Sequence, residues 1–244
     1  MVKQIAFYLL LLSPALALKK DDFVIVQVTK TDLQMHTTIE KFNVHQLRHA
    51  ARRLHTTFVK KFHRQARYLA IDMWYASQAS VDIDRPLRAA FKQAPKITFV
   101  GFNPTFQISR PYLTTSVKET SHVLAQIRPE GVRIMPSMKI YDPRDKKDYF
   151  KKRTLRFRHM SVVILDQLGY KPLKKPFVVP NSSFKHIKTM TYTQALIAPR
   201  DLKGKIVFLI NKLEPESDQH KVGEDTFLGS EILANVVMWQ VRQR

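Results

Sequence analysis

A chain of 244 residues with 41 Lys and Arg against 20 Asp and Glu carries a formal charge of +21, yet 44% of it is hydrophobic and 10% aromatic, so it buries a core and is no disordered basic tail. The absence of cysteine excludes a disulfide framework, a thiolate zinc site and a cysteine nucleophile. Six glycines, none in a G-x-G-x-x-G or G-x-x-x-x-G-K-[ST] pattern, leave no phosphate-cradling loop, so ATP or NAD use is unsupported and no cofactor is expected.

Residues 1–20 form an apolar leader: Lys3, an apolar run from Ile5 to Leu18 broken by Ser13 and Pro14, then Lys19-Lys20 and Asp21-Asp22. This is a signal-peptide pattern, with Ala15 and Ala17 as the small residues before a cleavage site after Ala17. The run is short for a membrane span, and cleavage would leave no transmembrane anchor. The competing reading is a buried N-terminal element. The leader lacks the Arg-rich, Ser-rich amphipathic character of a mitochondrial presequence.

Phe23 to Val28 is a β-branched run that predicts a buried strand. Apolar residues at Leu47, Ala50, Leu54, Phe58, Phe62, Ala66, Leu69, Met73 and Ala76 step by three or four and predict one long helix. Pro86 predicts a break before a short helix at Leu87 to Gln93, and Lys96 to Phe102, after Pro95, reads as a strand closed by Asn103-Pro104. Residues 105–115 read as irregular, Val117 to Ile127 as a helix stopped by Pro129 and Gly131, and Val132 to Tyr141 as extended with an interruption at Pro136. The stretch 146–168 fits both helix and strand, with Gly169 favouring helix. Four prolines between Tyr170 and Arg200 predict a surface excursion with little regular structure. Lys205 to Ile210 is a strand, and Ser230-Glu231 opens a C-terminal helix.

Strands alternating with helices predict an α/β class, an α+β arrangement being the alternative. The expected architecture is a small sheet packed with a long basic amphipathic helix, plus the Pro/Lys-rich segment 170–200. It divides into a lobe over 21–130 and a second α/β lobe over 131–244, unless the two form one continuous domain.

The charge is clustered. No acidic residue lies between Glu40 and Asp72, where Lys41, Arg48, Arg52, Arg53, Lys60, Lys61, Arg64 and Arg67 fall on or beside the predicted long helix. Solvated helix faces mix both signs, so an unrelieved cationic run points to phosphate contacts. Lys146, Lys147, Lys151, Lys152, Arg153, Arg156 and Arg158 form a second cluster, interleaved with Tyr149, Phe150 and Phe157. Cations with aromatics between them suit single-stranded nucleic acid, although the aromatics also fit a core stripe. Glu214, Glu216, Asp218, Glu224, Asp225 and Glu231 make the C-terminal region acidic, a surface that faces away from a polyanion or meets a basic protein neighbour.

Catalytic patterns are weak. His45 and His49 have metal-pair spacing but sit among arginines, and Asp82 and Asp84 fit the start of a helix. Asp142, Asp145 and Asp148 beside lysines leave a metal-dependent nuclease as a minor alternative. Asn181-Ser182-Ser183 is an N-glycosylation acceptor. The first functional expectation is a non-enzymatic, RNA-binding structural component of a large ribonucleoprotein such as an organellar ribosome, contacting RNA and neighbouring proteins in a mitochondrion or plastid. The alternative is a secreted protein that binds sulfated glycans or other polyanionic surfaces.

Overall fold

The computed structural model describes residues 17–38, 43–75, 79–103, 107–108, 111–142, 145, 153–213 and 218–243. Its frame is a set of apolar strands buried on both faces, the signature of a sheet covered by helices on each side. Strand β1 (Phe23–Thr29) is the clearest case. Val24, Val26 and Val28 enter one core while Phe23 and Ile25 enter the other, because successive side chains alternate.

The remaining strands of the main sheet are β2 (Tyr68–Trp74), β3 (Ile97–Val100), β6 (Ser121–His122), β9 (Ser137–Tyr141), β10 (Thr154–His159), β12 (Thr189–Thr191) and β13 (Ile206–Lys212). They lie in the order β12-β1-β13-β2-β3-β6-β10-β9, parallel except for the β10–β9 pair. The fold is therefore mixed α/β around an eight-stranded mixed sheet, larger than the small sheet expected. Strands from 21–130 and from 131–244 both enter it, with β13 inserted between β1 and β2.

Helices α1 (Lys30–His36), α2 (Val44–Phe62), α3 (Val81–Gln93) and α6 (Tyr192–Ile197) cover one face, through Leu33, Leu54, Phe58, Leu87, Phe91 and Tyr192. Helices α5 (Met160–Gln167) and α7 (Gly229–Arg242) cover the other, through Met160, Ile164, Leu233 and Val237. Leu18, which would begin a chain cleaved after Ala17, is buried in this second core. Strands β7 (Ala125–Arg128), β8 (Gly131–Ile134) and β11 (Phe177–Pro180) form a separate antiparallel sheet. It packs on α7 together with the hairpin of β14 (Gln219–Val222) and β15 (Asp225–Leu228).

Several sequence expectations are corrected. The helix over 47–76 ends at Phe62, and residues 68–74 are strand β2, paired to β13 and β3. Leu69 and Met73 stand four apart, a spacing that fits both the helical period and the strand period of two. Helix α3 begins at Val81 and runs through Pro86, which removes only the N–H that would reach the Asp82 carbonyl near the helix start. The helix expected over 117–127 is replaced by β6 and β7, and within the stretch 146–168, where helix was favoured over strand, residues 154–159 form β10 and only 160–167 form the helix α5, while 146–152 lie outside the described residues. Gly169 does follow α5, at φ +85°, where a side chain would be strained. Within 105–115, β5 (Gln107–Ile108) pairs with β4 (Phe102–Asn103), and α4 (Pro111–Thr114) is a helical turn. The 170–200 excursion contributes β11, β12 and α6, so its prolines punctuate regular elements. The extended reading of 132–141 with a break at Pro136 matches β8 and β9.

Three histidines, His55, His122 and His159, are fully buried, and burial holds each in its neutral form, the first two at a pKa of about 4. The unfolded chain binds protons near its ordinary value of 6.5, so histidine-linked stability is complete above that pH and is lost as pH falls toward 4. Asp72, whose carboxyl is raised to about 7, works in the opposite sense but is one group against three. Denaturant midpoints are therefore expected to fall between pH values of about 6.5 and 4.5. A midpoint that stays level or rises over that interval contradicts the burial of these imidazoles.

Candidate functional site

The expected cationic surface divides once the side chains are placed. Arg48, Arg53, Lys60, Lys61 and Arg64 are exposed along α2 and just beyond it. Arg67 is half-buried beside Tyr170, its Nη2 donating to the phenol oxygen at 3.4 Å. Arg52 points inward and is 5% exposed, its Nη1 donating to Asp84 Oδ1 at 2.7 Å and its guanidinium lying 5.5 Å from the Tyr75 ring centre. It is a structural cation, and the expected phosphate contact is corrected. Asp84 in turn accepts the Ala79 N–H at 2.9 Å, so this carboxylate ties α2, α3 and the chain entering α3 together.

The second cluster is also thinned. Lys146, Lys147, Lys151 and Lys152 lie outside the described residues. Arg153 and Arg156 are exposed, whereas Arg158 donates through Nε to Glu119 at 2.6 Å, through Nη2 to the same carboxylate, and to Asp166 at 3.0 Å. These hydrogen bonds hold its charge still more firmly than usual. Phe157 is buried and stacked on Phe102, so it offers no face to a base, while Tyr149 and Phe150 lie outside the described residues.

The weak catalytic patterns resolve similarly. Asp145 Oδ2 accepts the Arg153 N–H at 2.9 Å, Asp142 is buried, and Asp148 lies outside the described residues. Among the described residues no group of three His, Cys, Asp or Glu is placed to hold a metal ion. Asn181 Nδ2 already donates to the Pro129 carbonyl at 2.8 Å, which occupies the nitrogen a glycan would need.

The site that the sequence did not disclose lies where the topology reverses. Strands β2 and β13 are parallel neighbours, yet the chain leaving β2 reaches α3 on one face while the chain leaving β13 reaches α7 on the other. Helices that diverge from adjacent strands open a crevice at the carboxyl ends, where α/β proteins place their ligands. Here it is a cleft of about 250 Å³ lined by Asp72, Asp218, His220 and Gly229, with a wall that includes Val123, Ile127, Ile232 and Leu233.

Its geometry follows from local structure. Asp72 ends the Tyr68, Ala70 alternation of β2 and so projects on the α7 side. Asp218 precedes β14 at φ +66°, and its carbonyl accepts the Gly229 N–H at 2.9 Å. Gly229 opens α7 beside the Asp218 carboxylate, and a Cβ there would collide with it. His220 Nε2 lies 3.3 Å from Asp218 Oδ1, which raises the imidazole pKa chiefly through that hydrogen bond. Burial, and then the Asp218 charge, push the Asp72 carboxyl up to about 7. No hydrogen bond from a described residue reaches the Asp72 carboxylate.

On the opposite face His55 braces the same strand ends. With Nε2 donating to Asn211 Oδ1 at 2.9 Å, its Nδ1 accepts from the Tyr75 hydroxyl at 2.9 Å. The acidic C-terminal group is thus divided. Asp218 faces Asp72, while Glu231 is buried and accepts the Leu228 and Ile187 N–H groups. Comparison with protein-family models, curated proteins and solved structures found no match to this chain.

The division of Arg52 from Arg53 is testable. Arg52→Ala leaves Asp84 charged and buried and is expected to cost about 3–5 kcal/mol. Arg53, whose only ion pair among the described residues is an exposed one with Asp82 at 3.8 Å, should cost less than about 1 kcal/mol when replaced by Ala. Equal losses in chemical denaturation contradict the inward placement of Arg52.

Proposed function

We propose that this chain is a ligand-binding α/β protein whose ligand occupies the cleft at the carboxyl end of β2, walled by β7, β14 and α7. The observation that carries this reading is the meeting of Asp72, Asp218 and His220 at the topological switch point of the sheet. The enclosed volume suits a small molecule, and the mixture of apolar wall and a few polar groups is that of a ligand pocket. The leader over 1–20 supports export of such a protein, with cleavage after Ala17. Among the described residues no helix is long and apolar enough to cross a membrane.

Methyl NMR during titration with a small-molecule library tests the reading. A binder is expected to move the Ile127, Ile232 and Leu233 methyl signals, and Asp72→Asn should weaken it by at least about tenfold, ~1.4 kcal/mol. Saturable binding that leaves those methyls unmoved contradicts the assignment.

A second reading rests on the exposed cations of α2. Arg53, Lys60, Lys61 and Arg64, with the net charge of +21, support binding of a polyanion, in the first instance RNA within a large ribonucleoprotein in an organelle, and otherwise sulfated glycans outside the cell. Arg53→Glu, Lys60→Glu, Lys61→Glu and Arg64→Glu combined should then weaken RNA binding steeply and flatten its salt dependence in a filter-binding measurement. Binding unchanged in affinity and in salt slope contradicts this reading.

A further inference from the structure

In a chain with 41 Lys and Arg, none of the described residues lining the cleft is basic apart from His220, while two of them are carboxylates. Once Asp72 ionises, two carboxylates face one imidazole, and the cleft becomes opposite in sign to the whole molecule. We propose that the cleft receives an organic ammonium ion, its charged head held between Asp72 and Asp218 and its apolar body lying along Val123, Ile127, Ile232 and Leu233. This inference rests on the reading of the cleft as a ligand site and names the chemistry of its ligand.

Other occupants fit the groups less well. An anion would meet two aspartates, and the donors it could seek at the start of α7 are engaged, the Leu228 N–H by Glu231 Oε2 at 2.9 Å and the Gly229 N–H by the Asp218 carbonyl at 2.9 Å. A divalent ion lacks a set of three suitable side chains among the described residues and gains nothing from an apolar wall. A primary ammonium has three donors for carboxylate oxygens, and its alkyl chain removes apolar wall from water.

The groups facing the head are Asp72 from β2 and Asp218 and His220 from β14 and the residue before it. Neither β7 nor α7 adds a titratable side chain to the lining. Because Asp72 holds its proton up to about pH 7, a cation must displace that proton to gain the full charge of the pair. Raising the pH ionises Asp72 and also neutralises His220, and both changes favour the cation. Affinity is therefore expected to rise with pH, by as much as about tenfold per pH unit below the Asp72 transition, and to level off above it.

The test uses n-hexylammonium, n-hexanol and hexanoate as probes of one apolar length and three charges, with methyl NMR at pH values of about 6 and 8. Hexylammonium is expected to move the Ile127, Ile232 and Leu233 methyls most tightly at the higher pH. Asp72→Asn should weaken it and remove most of the pH dependence, with Asp218→Asn as an independent check should the first variant fold poorly. Hexanol or hexanoate moving the same methyls with equal or greater affinity overturns the ammonium assignment while leaving the cleft as a ligand site. Movement by none of the three overturns both.

Discussion

The late strand β13 holds the molecule together by lying between β1 and β2. It pairs with both over most of its length, from Phe23↔Ile206 to Thr29↔Lys212 on one side and from Tyr68↔Ile206 to Ile71↔Leu209 on the other. Its side chains alternate between the two cores, Val207 and Leu209 into one and Ile206, Phe208 and Ile210 into the other. Both cores and the helices of both faces therefore close only after the last third of the chain arrives. Such non-local pairing carries a high loop-closure cost before any contact offsets it.

The same insertion creates the cleft. Had β1 and β2 been adjacent, the helices after each would both lie on the α2 and α3 face. Because β13 stands between them and leads on to β14 and α7 on the far face, the chain after it reaches the side of the sheet on which Asp72 lies. Asp72, Asp218 and His220 then meet there, and His55 braces the strand ends from behind through Tyr75 and Asn211. Charge follows a similar division of labour. Arg52 and Arg158 pair with internal carboxylates, exposed cations stand along α2, and the cleft gathers two carboxylates in a strongly positive molecule.

Elements with one dominant cue were legible in the sequence. β1, β3 and β13 are rich in β-branched and apolar residues, and α7 is opened by Ser230-Glu231, with Glu231 reaching back to the Leu228 N–H. Short strands were not legible, since β6 has only two residues and Leu69 and Met73 in β2 stand at a separation shared by helix and strand. That ambiguity concealed the site, because Asp72 read as part of a helix carries no meaning. As the last polar residue of a buried strand, it marks the carboxyl end of the sheet. Asp218 and His220 stood within an acidic stretch and lay far from Asp72 in sequence, so only the pairing of β2 with β13 could bring them together. Arg52 and Arg53 are adjacent and chemically identical, and their opposite fates depend on Asp84, which the chain brings near only through the packing of α2 on α3.

The most direct measurement is the titration of the Asp72 side-chain carboxyl carbon by NMR in the full chain. Asp72 set beside Asp218 in a shielded cleft should titrate near 7, with a linked change in the His220 ring signals. A carboxyl that titrates in the ordinary aspartate range near 3.8, independently of His220, would mean that the two strand ends do not bring these groups together.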